Sequence, residues 1–302
     1  MPPVAMGAVP SPERWDRVVS QETYTGSGPV VAAHGSRHAR GTTQRALPRT
    51  RSSPWQERES RKAEIPGASA LGGCQVSVVI PAHNEERYIR AALTSVAAQT
   101  WPVALLEAVV VDNGSTDATG EVVQDFMAGA PHLAVRLVNE PAHGVARAKN
   151  RGASVARGRW LIFLDADSRM APDLVERVMR RTRHHPAGSV RVVADSHDIL
   201  DRAFFSLIEF GKVLFGLRAQ MFYCERELFV QSGGFDEHLQ LAEDLEFLAR
   251  LQRAGVPVCH VTESWIATSP RRLHTLPCRL GMPAMLARWA LARWGLGRRW
   301  RY

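Results

Sequence analysis

Three apolar runs, each closed by a polar cluster rich in carboxylates, constrain this chain more than any other feature. Val76-Ser77-Val78-Val79-Ile80 runs into Pro81-Ala82-His83-Asn84-Glu85-Glu86. Glu107 to Val111 runs into Asp112-Asn113-Gly114-Ser115-Thr116-Asp117, and Trp160-Leu161-Ile162-Phe163-Leu164 into Asp165-Ala166-Asp167. Short runs of this composition, bounded by turn residues, read as buried strands. Helical patterns separate them. Ile89, Leu93 and Val96 share one helix face, with Asn84-Glu85-Glu86 as cap and acidic first turn. The Ser115-Thr116-Asp117 turn can cap a second helix near Ala118. A short strand around Val135–Val138 leads to a third helix from Gly144 to Ala156. Pro172 and Asp173 then open a fourth, running to about Arg183.

Strands alternating with helices predict an α/β sheet built from crossover units and flanked by helices. In an open sheet of this kind ligands bind outside the carboxyl ends of the strands, which is where the polar clusters fall. From Val190 to Ile266 the pattern is less regular and includes an apolar-aromatic stretch, Ala203–Phe215. It reads as the acceptor-side half of the same domain.

Asp165 and Asp167 follow a strand and precede a helix, so their oxygens can ligate a hard cation and leave positions for phosphate. An isolated D-x-D is a common loop pattern. Asp112 at the end of the preceding strand, before its turn, strengthens it, because helix capping does not call for a carboxylate there.

Charge is unevenly spread. The net +8 divides into +4 over residues 1–73, +8 over 271–302 and −4 for the middle. A mildly acidic core argues against nucleic acid as a partner, and the basic ends suit phosphates or a membrane surface. Cys74, Cys224, Cys259 and Cys278 lack metal-ligand or disulfide-framework spacing and suggest a reducing, cytoplasmic setting. No stretch reaches the 18 or so apolar residues of a membrane span, and no secretory signal is expected at the start. Residues 1–72, rich in Pro, Ser, Gly, Thr and Arg, read as a disordered extension ahead of a single catalytic domain over 73–270.

The segments Val79-Ile80-Pro81-Ala82-His83-Asn84-Glu85, Val110 to Asp117 and Phe163 to Asp167 resemble the successive nucleotide-sugar motifs of family 2 glycosyltransferases. Gly144 to Gly152 resembles the family's segment before the D-x-D. Gly233-Gly234-Phe235-Asp236-Glu237 with Ala242-Glu243-Asp244-Leu245-Glu246-Phe247 resembles its acceptor-side motif. The resemblance covers about residues 75–270 and implies a GT-A fold, a Rossmann-like mixed sheet flanked by helices, and an inverting, metal-dependent transfer from a UDP- or GDP-sugar to a hydroxyl on a lipid carrier, glycan or small molecule.

Carried over position by position, it implies that Pro81, Ala82 and Glu85 surround the nucleobase and ribose, and that Asp112 bonds the base. Arg147 and Lys149 lie near the diphosphate, Asp165 faces ribose or sugar, and Asp167 holds Mg²⁺ or Mn²⁺. Asp244 is the base that takes the acceptor's proton, and Glu243 orients the site. A role in cell-envelope or polysaccharide synthesis would fit. Arg271, Arg272 and His274 can reach over the diphosphate.

The Q-x-x-R-W motif of processive synthases is missing: Leu296 stands where glutamine is needed before Arg299-Trp300. The segment 271–302 reads as a basic amphipathic helix, Met282, Met285, Trp289 and Leu296 on one face and arginines around it, suited to peripheral contact at the inner face of a membrane. Two other readings use the same sheet. A nucleotidyltransferase would want a Gly-rich basic loop after the first strand, and a non-catalytic sugar-nucleotide or membrane-binding protein would lack one of Asp112, Asp167 and Asp244.

Overall fold

A computed structural model of the chain describes residues 74–214, 222–239 and 242–274, together with Gly281, Met282, Ala284 and Ala287. The expected leader 1–72 and most of the basic segment 271–302 lie outside the described residues.

Eight strands form one sheet in the order β3-β2-β1-β4-β7-β6-β8-β5. They are β1 (Val76–Ala82), β2 (Leu106–Asp112), β3 (Ala134–Asn139), β4 (Trp160–Phe163), β5 (Ser168–Met170), β6 (Ala187–Ala194), β7 (Phe222–Glu225) and β8 (Val258–Thr268). The first four pair in parallel. β7 then pairs antiparallel with both β4 and β6. β6 and β8 run parallel with a register break at Val190/Arg191, and β5 pairs antiparallel with β8. The sheet is therefore mixed, as expected, with a parallel half and an interrupted half.

Seven helices flank it among the described residues: α1 (Ile89–Ala97), α2 (Thr119–Gly129), α3 (Val145–Val155), α4 (Leu174–Arg181), α5 (Ile199–Leu214), α6 (Arg226–Gln231) and α7 (Glu243–Arg253). Apart from Ser77, which donates to Glu107 of β2, β1 is apolar because both its faces are covered. Val76, Val78 and Ile80 join a cluster fed by α1, α2, α4 and α5, while Val79 packs with α3, α6 and α7. Close seating of α3 depends on Gly152: a Cβ there would lie 2.3 Å from Val79 Cγ1 and 3.0 Å from Val111 Cγ2. That approach carries Lys149, nearly a turn earlier in the helix, over the strand ends.

Two details differ from the sequence reading. Asn84-Glu85-Glu86 does not cap α1, which begins at Ile89 with no side-chain cap and no acid in its first turn. Asn84 has φ 55°, a left-handed conformation that Asn tolerates, and its Oδ1 accepts from the Thr116 amide at 2.8 Å. Ser115 and Thr116 do not cap α2, whereas Asp117 Oδ1 accepts from Thr119 N, the first residue of the helix, at 3.0 Å. The two loops bond each other instead: Asn84 N to Ser115 Oγ (3.1 Å), Glu85 N to Thr119 Oγ1 (2.8 Å), Glu86 N to Asp117 Oδ2 (3.2 Å) and Ala118 N to Glu86 Oε2 (3.1 Å). Polar residues that look like local caps are spent between loops about thirty positions apart. The Ala203–Phe215 stretch is mostly the helix α5, and β5 follows Asp167 directly, an element the apolar pattern did not show.

Candidate active site

Parallel register brings the carboxyl ends of β1, β2 and β4 to one edge. Ala82 lies opposite Asp112 and Val79 opposite Phe163, two residues before Asp165. Each loop leaving that edge is braced. Asp112 Oδ1 accepts from the Ser115 amide at 2.9 Å, a side-chain-to-backbone turn. Buried Asn113 donates to the carbonyls of Glu140 and Ala142, both at 2.8 Å, and accepts from Gly144 N at 2.9 Å. It thereby ties the loop after β2 to the entrance of α3. Pro81 is half-buried and Ala82 buried, so they form a wall at the end of β1.

The titratable residues form a chain of alternating charge. Lys149 Nζ donates to Glu243 Oε1 at 2.7 Å and lies 3.9 Å from Asp165 Oδ1. Asp167 Oδ2 accepts from Arg271 Nε at 3.1 Å, and the same guanidinium pairs with Glu85 Oε1 while resting over the Tyr88 ring, 4.6 Å from its centroid. From Glu243 to Glu85 the order is carboxylate, ammonium, two carboxylates, guanidinium, carboxylate. Lys149 and Glu243 are both buried. Burial opposes the Lys149 charge, but Glu243, Asp165 and Asp244 outweigh it and hold the ammonium well above its usual pKa. Glu243 is held below the usual carboxylate value, because Lys149 overcomes its burial.

The other end is less well compensated. Burial pushes the Asp167 carboxyl up, aided by Asp165, although Arg272 and Arg271 pull it down. Burial likewise raises Glu85 despite Arg271, and its Oε2 is buried without a hydrogen-bond partner. This is a surplus of buried acceptor oxygens, costly unless more positive charge arrives. The structure thus brings Glu85, Lys149, Asp165, Asp167 and Glu243 together. Arg147 instead sits half-exposed, paired with Glu237 at 3.3 Å.

Asp244 lies in the first turn of α7, its Oδ1 accepting from Leu245 N at 2.7 Å, close enough for its charge to act on Lys149. The helix starts from Ala242 at φ 61°, a left-handed conformation unfavourable to alanine. Upstream, Gly233 and Gly234 both have positive φ, and a Cβ on Gly234 would come within 2.7 Å of Asn150 Oδ1. That oxygen accepts from Phe235 N, and Asn150 Nδ2 donates to Phe235 O, both at 2.9 Å. Phe235 is thereby pressed into a cluster with Phe163, Phe222, Phe229 and Phe247, at centroid separations of 4.7 to 5.6 Å. The Gly-Gly-Phe motif is the anchor that sets α7 against β4. Sequence reasoning gave Asn150, Tyr88 and the phenylalanines no role of their own. Asn150 lies within the Gly144–Gly152 segment, whereas the phenylalanines are scattered over four elements and the loop that holds Phe235.

A mixed sheet that gathers carboxylate-bearing loops at the end of its parallel half, with a further acidic helix start beyond, has the architecture of the GT-A glycosyltransferases. In fold it is similar to the mannosyltransferase PcManGT from Pyrobaculum calidifontis, with 24% identity, 77% of this chain and 70% of that one covered, and a TM-score of 0.54. Residues 1–349 of S. aureus TarS are similar too, with 18% identity, 74% and 73% coverage and a TM-score of 0.54. The profile of Glycosyl transferase family 2 matches residues 77–236, and the chain belongs to that family. Curated relatives include the uncharacterized glycosyltransferase YibD of Escherichia coli, 35% identical over 105 residues, which are 35% of this chain and 29% of YibD. The glycosyltransferase AglE of Haloferax volcanii is 39% identical over 92 residues, 30% of each chain. This chain therefore spans under a third of the length of these two relatives.

Proposed function

We propose that the protein transfers a sugar, with inversion, from a nucleoside diphosphate sugar to a hydroxyl acceptor. The observation that carries this reading is the continuous charged chain from Glu243 through Lys149, Asp165, Asp167 and Arg271 to Glu85, with Asp244 beside it. Family membership supports it, as do the ligands named for proteins of similar fold: UDP and UDP-GlcNAc with TarS, GDP-Man and Mn²⁺ with PcManGT.

In this reading Pro81, Ala82, Glu85 and Asp112 hold the nucleoside, with Asp112 kept rigid by its own turn. The acceptor oxygen attacks the anomeric carbon as the bond from that carbon to the diphosphate oxygen breaks. Asp244 takes the hydroxyl proton. Lys149 and Glu243 act as positioning residues: one ammonium fixes Asp165 on the donor side and the first turn of α7 on the acceptor side. Arg147, at the rim, adds positive charge near the diphosphate.

The donor set suits Mg²⁺ or Mn²⁺. Asp167 and Asp165 offer hard oxygens, and the unpartnered Glu85 Oε2 marks a deficit of positive charge. Among the described residues no group of three metal-ligating side chains converges, so phosphate and water oxygens would complete the shell. The ion would neutralise the charge of the leaving diphosphate. Arg271 already occupies Asp167 Oδ2, and such an ion competes with it for that oxygen.

A nucleotidyltransferase is disfavoured by the loop after β1. The amides of Asn84, Glu85 and Glu86, which would have to cradle a triphosphate, are taken by Ser115, Thr119 and Asp117. The test is a screen of UDP-, GDP- and dTDP-sugars, with Mn²⁺ or with EDTA. Release of nucleoside diphosphate from one donor class, lost with EDTA, is expected. Release of pyrophosphate, or no release from any donor, would overturn the reading.

A further inference from the structure

Helix α5 carries its polarity partly inside out. Asp201 and Lys212 are buried and Glu209 nearly so. Asp201 accepts from Ser196 Oγ at 2.8 Å and faces His274 Nε2 at 2.9 Å; Glu209 accepts from Val192 N at 3.1 Å, faces His260 Nε2 at 3.2 Å and pairs with Lys212. Outward point Ile199, Leu200, Leu207, Phe210, Val213 and Leu214, each between 54% and 79% exposed. These are six of the nine large apolar side chains exposed among the described residues, so the exposure is concentrated on one helix. Arg202 is the only ionised side chain at an exposed position of α5. A helix in water ordinarily turns its charges out and its large apolar groups in. A contiguous apolar surface of this kind marks a contact site.

The chain that follows this face is basic, whereas Asp195 and Asp198 precede it. Residues 215–221 carry one arginine and residues 275–302 carry six, with no Asp or Glu in either stretch, and the second stretch also holds Trp289, Trp294 and Trp300. His274, the residue just before the second stretch in sequence, meets Asp201 of α5. We propose that the outer face of α5 seats in the interfacial region of an anionic lipid surface, with the adjoining arginines meeting the headgroups. An apolar helix face with flanking Lys/Arg and Trp binds such surfaces through buried apolar area and headgroup charge together.

Charge argues against the two other occupants. A second copy would bring its own seven flanking arginines against these seven, with only Asp195 and Asp198 nearby, one already paired with Arg169 and the other accepting from Leu200 N. The chain's own tail, packed back on α5, would find no exposed carboxylate there, because Asp201 and Glu209 are engaged on the inner side.

The location has a consequence for the acceptor, which rests on the transferase reading. The inner side of α5 faces the site at two places. Lys212 feels the charge of Asp244, and His274 follows Arg271, the partner of Asp167, by three residues. A lipid surface on α5 would deliver a lipid-linked hydroxyl to the Asp244 side.

Flotation of the full chain with phosphatidylcholine vesicles, with and without phosphatidylglycerol, tests the docking. The wild type should float with the anionic vesicles. Leu207→Glu/Phe210→Glu should lose partitioning by at least about tenfold, with thermal stability and nucleotide-sugar binding unchanged. Ile199→Glu, at the other end of the helix, should show a smaller loss.

Four outcomes would overturn the proposal. One is a wild type that does not float; another is a double variant that floats as well, which makes the tail alone the anchor. A drop in melting temperature with new protease cleavage after residue 274 would make the tail the occupant. Dissociation of a wild-type dimer by the double variant would make it a second copy. Nucleotide-sugar binding is read separately, so failure of the transferase reading would show there and not in flotation.

Discussion

The two halves of the sheet place most of their polar residues differently. In the parallel half, β3-β2-β1-β4, one cluster of Ser77, Glu107 and Arg136 lies within the strands, and the other polar groups gather at the carboxyl ends, where loops brace one another side chain to backbone. In the other half, β7-β6-β8-β5, pairing changes direction, the register breaks at Val190/Arg191, and polar groups lie inside: Asp201, Glu209, Lys212 and Ser264 are engaged beneath or within helices and strands. The first half is built to present a rigid polar edge. The second is built to be joined to it, and the joints are ionic: Lys149 to Glu243 and Arg271 to Asp167 and Glu85. If binding belongs to the first half and proton transfer to the second, a change on one side should leave the other side's parameter alone.

The sharpest break in that division is Asp244→Asn. It removes the proposed proton acceptor and keeps the volume, so kcat should fall about a thousandfold while the dissociation constant for the nucleotide sugar stays as in the wild type. Calorimetry of donor binding beside steady-state kinetics checks it. Equal loss of both would place Asp244 in donor binding and dissolve the division of labour.

Next in size is the joint itself. Lys149→Met leaves Glu243 buried and unpaired, which should cost about 3–5 kcal/mol in urea unfolding. Lys149→Met/Glu243→Leu should recover much of that stability, because two apolar groups no longer strand a charge. Activity should stay low in both, since neither holds Asp165 and the start of α7 in register. A double variant that regained activity as well would make the pair purely structural.

These joints also explain how far the sequence could be read. The parallel half was legible because its signals are local: an apolar run, a polar turn and a 3.6-residue pattern fall within one window each. Placing Asp112, Asp165 and Asp167 at one sheet edge needed only the strand order typical of such folds. Lys149 was read as a residue near phosphate, but its partner Glu243 lies 94 positions away, and Arg271 reaches Glu85 across 186. Neither burial nor pairing over those separations leaves a local trace. Asn84 misled for the same reason: its side chain looks like a cap until Thr116, 32 residues on, takes it. The Ala203–Phe215 stretch showed no helix signature that could be oriented, because α5 buries charges along with Phe204 and Phe205 while Phe210 points outward.

The smallest effect concerns a seam residue with no place in the site. Asp173, just before α4, accepts from Arg177 Nε at 2.9 Å and from Ser264 Oγ at 2.7 Å, joining the helix that follows Asp167 and β5 to β8. Burial would raise its carboxyl, but the hydrogen bonds from Arg177 and Ser264, with the arginine's charge, prevail and lower it below the ordinary 3.8. A depressed carboxylate pKa means the folded state binds the proton less readily than the unfolded chain. Its contribution is therefore complete above the unfolded value and is lost as pH falls through the folded one. Asp173→Asn should cost less than about 1 kcal/mol at neutral pH, as befits a partly exposed pair. The gap to wild type in urea unfolding should close below about pH 3.8. A gap that persisted there would mean that the amide of the Asp173→Asn variant fails to replace a geometric bond to Ser264, and that the seam is held by shape and not by charge.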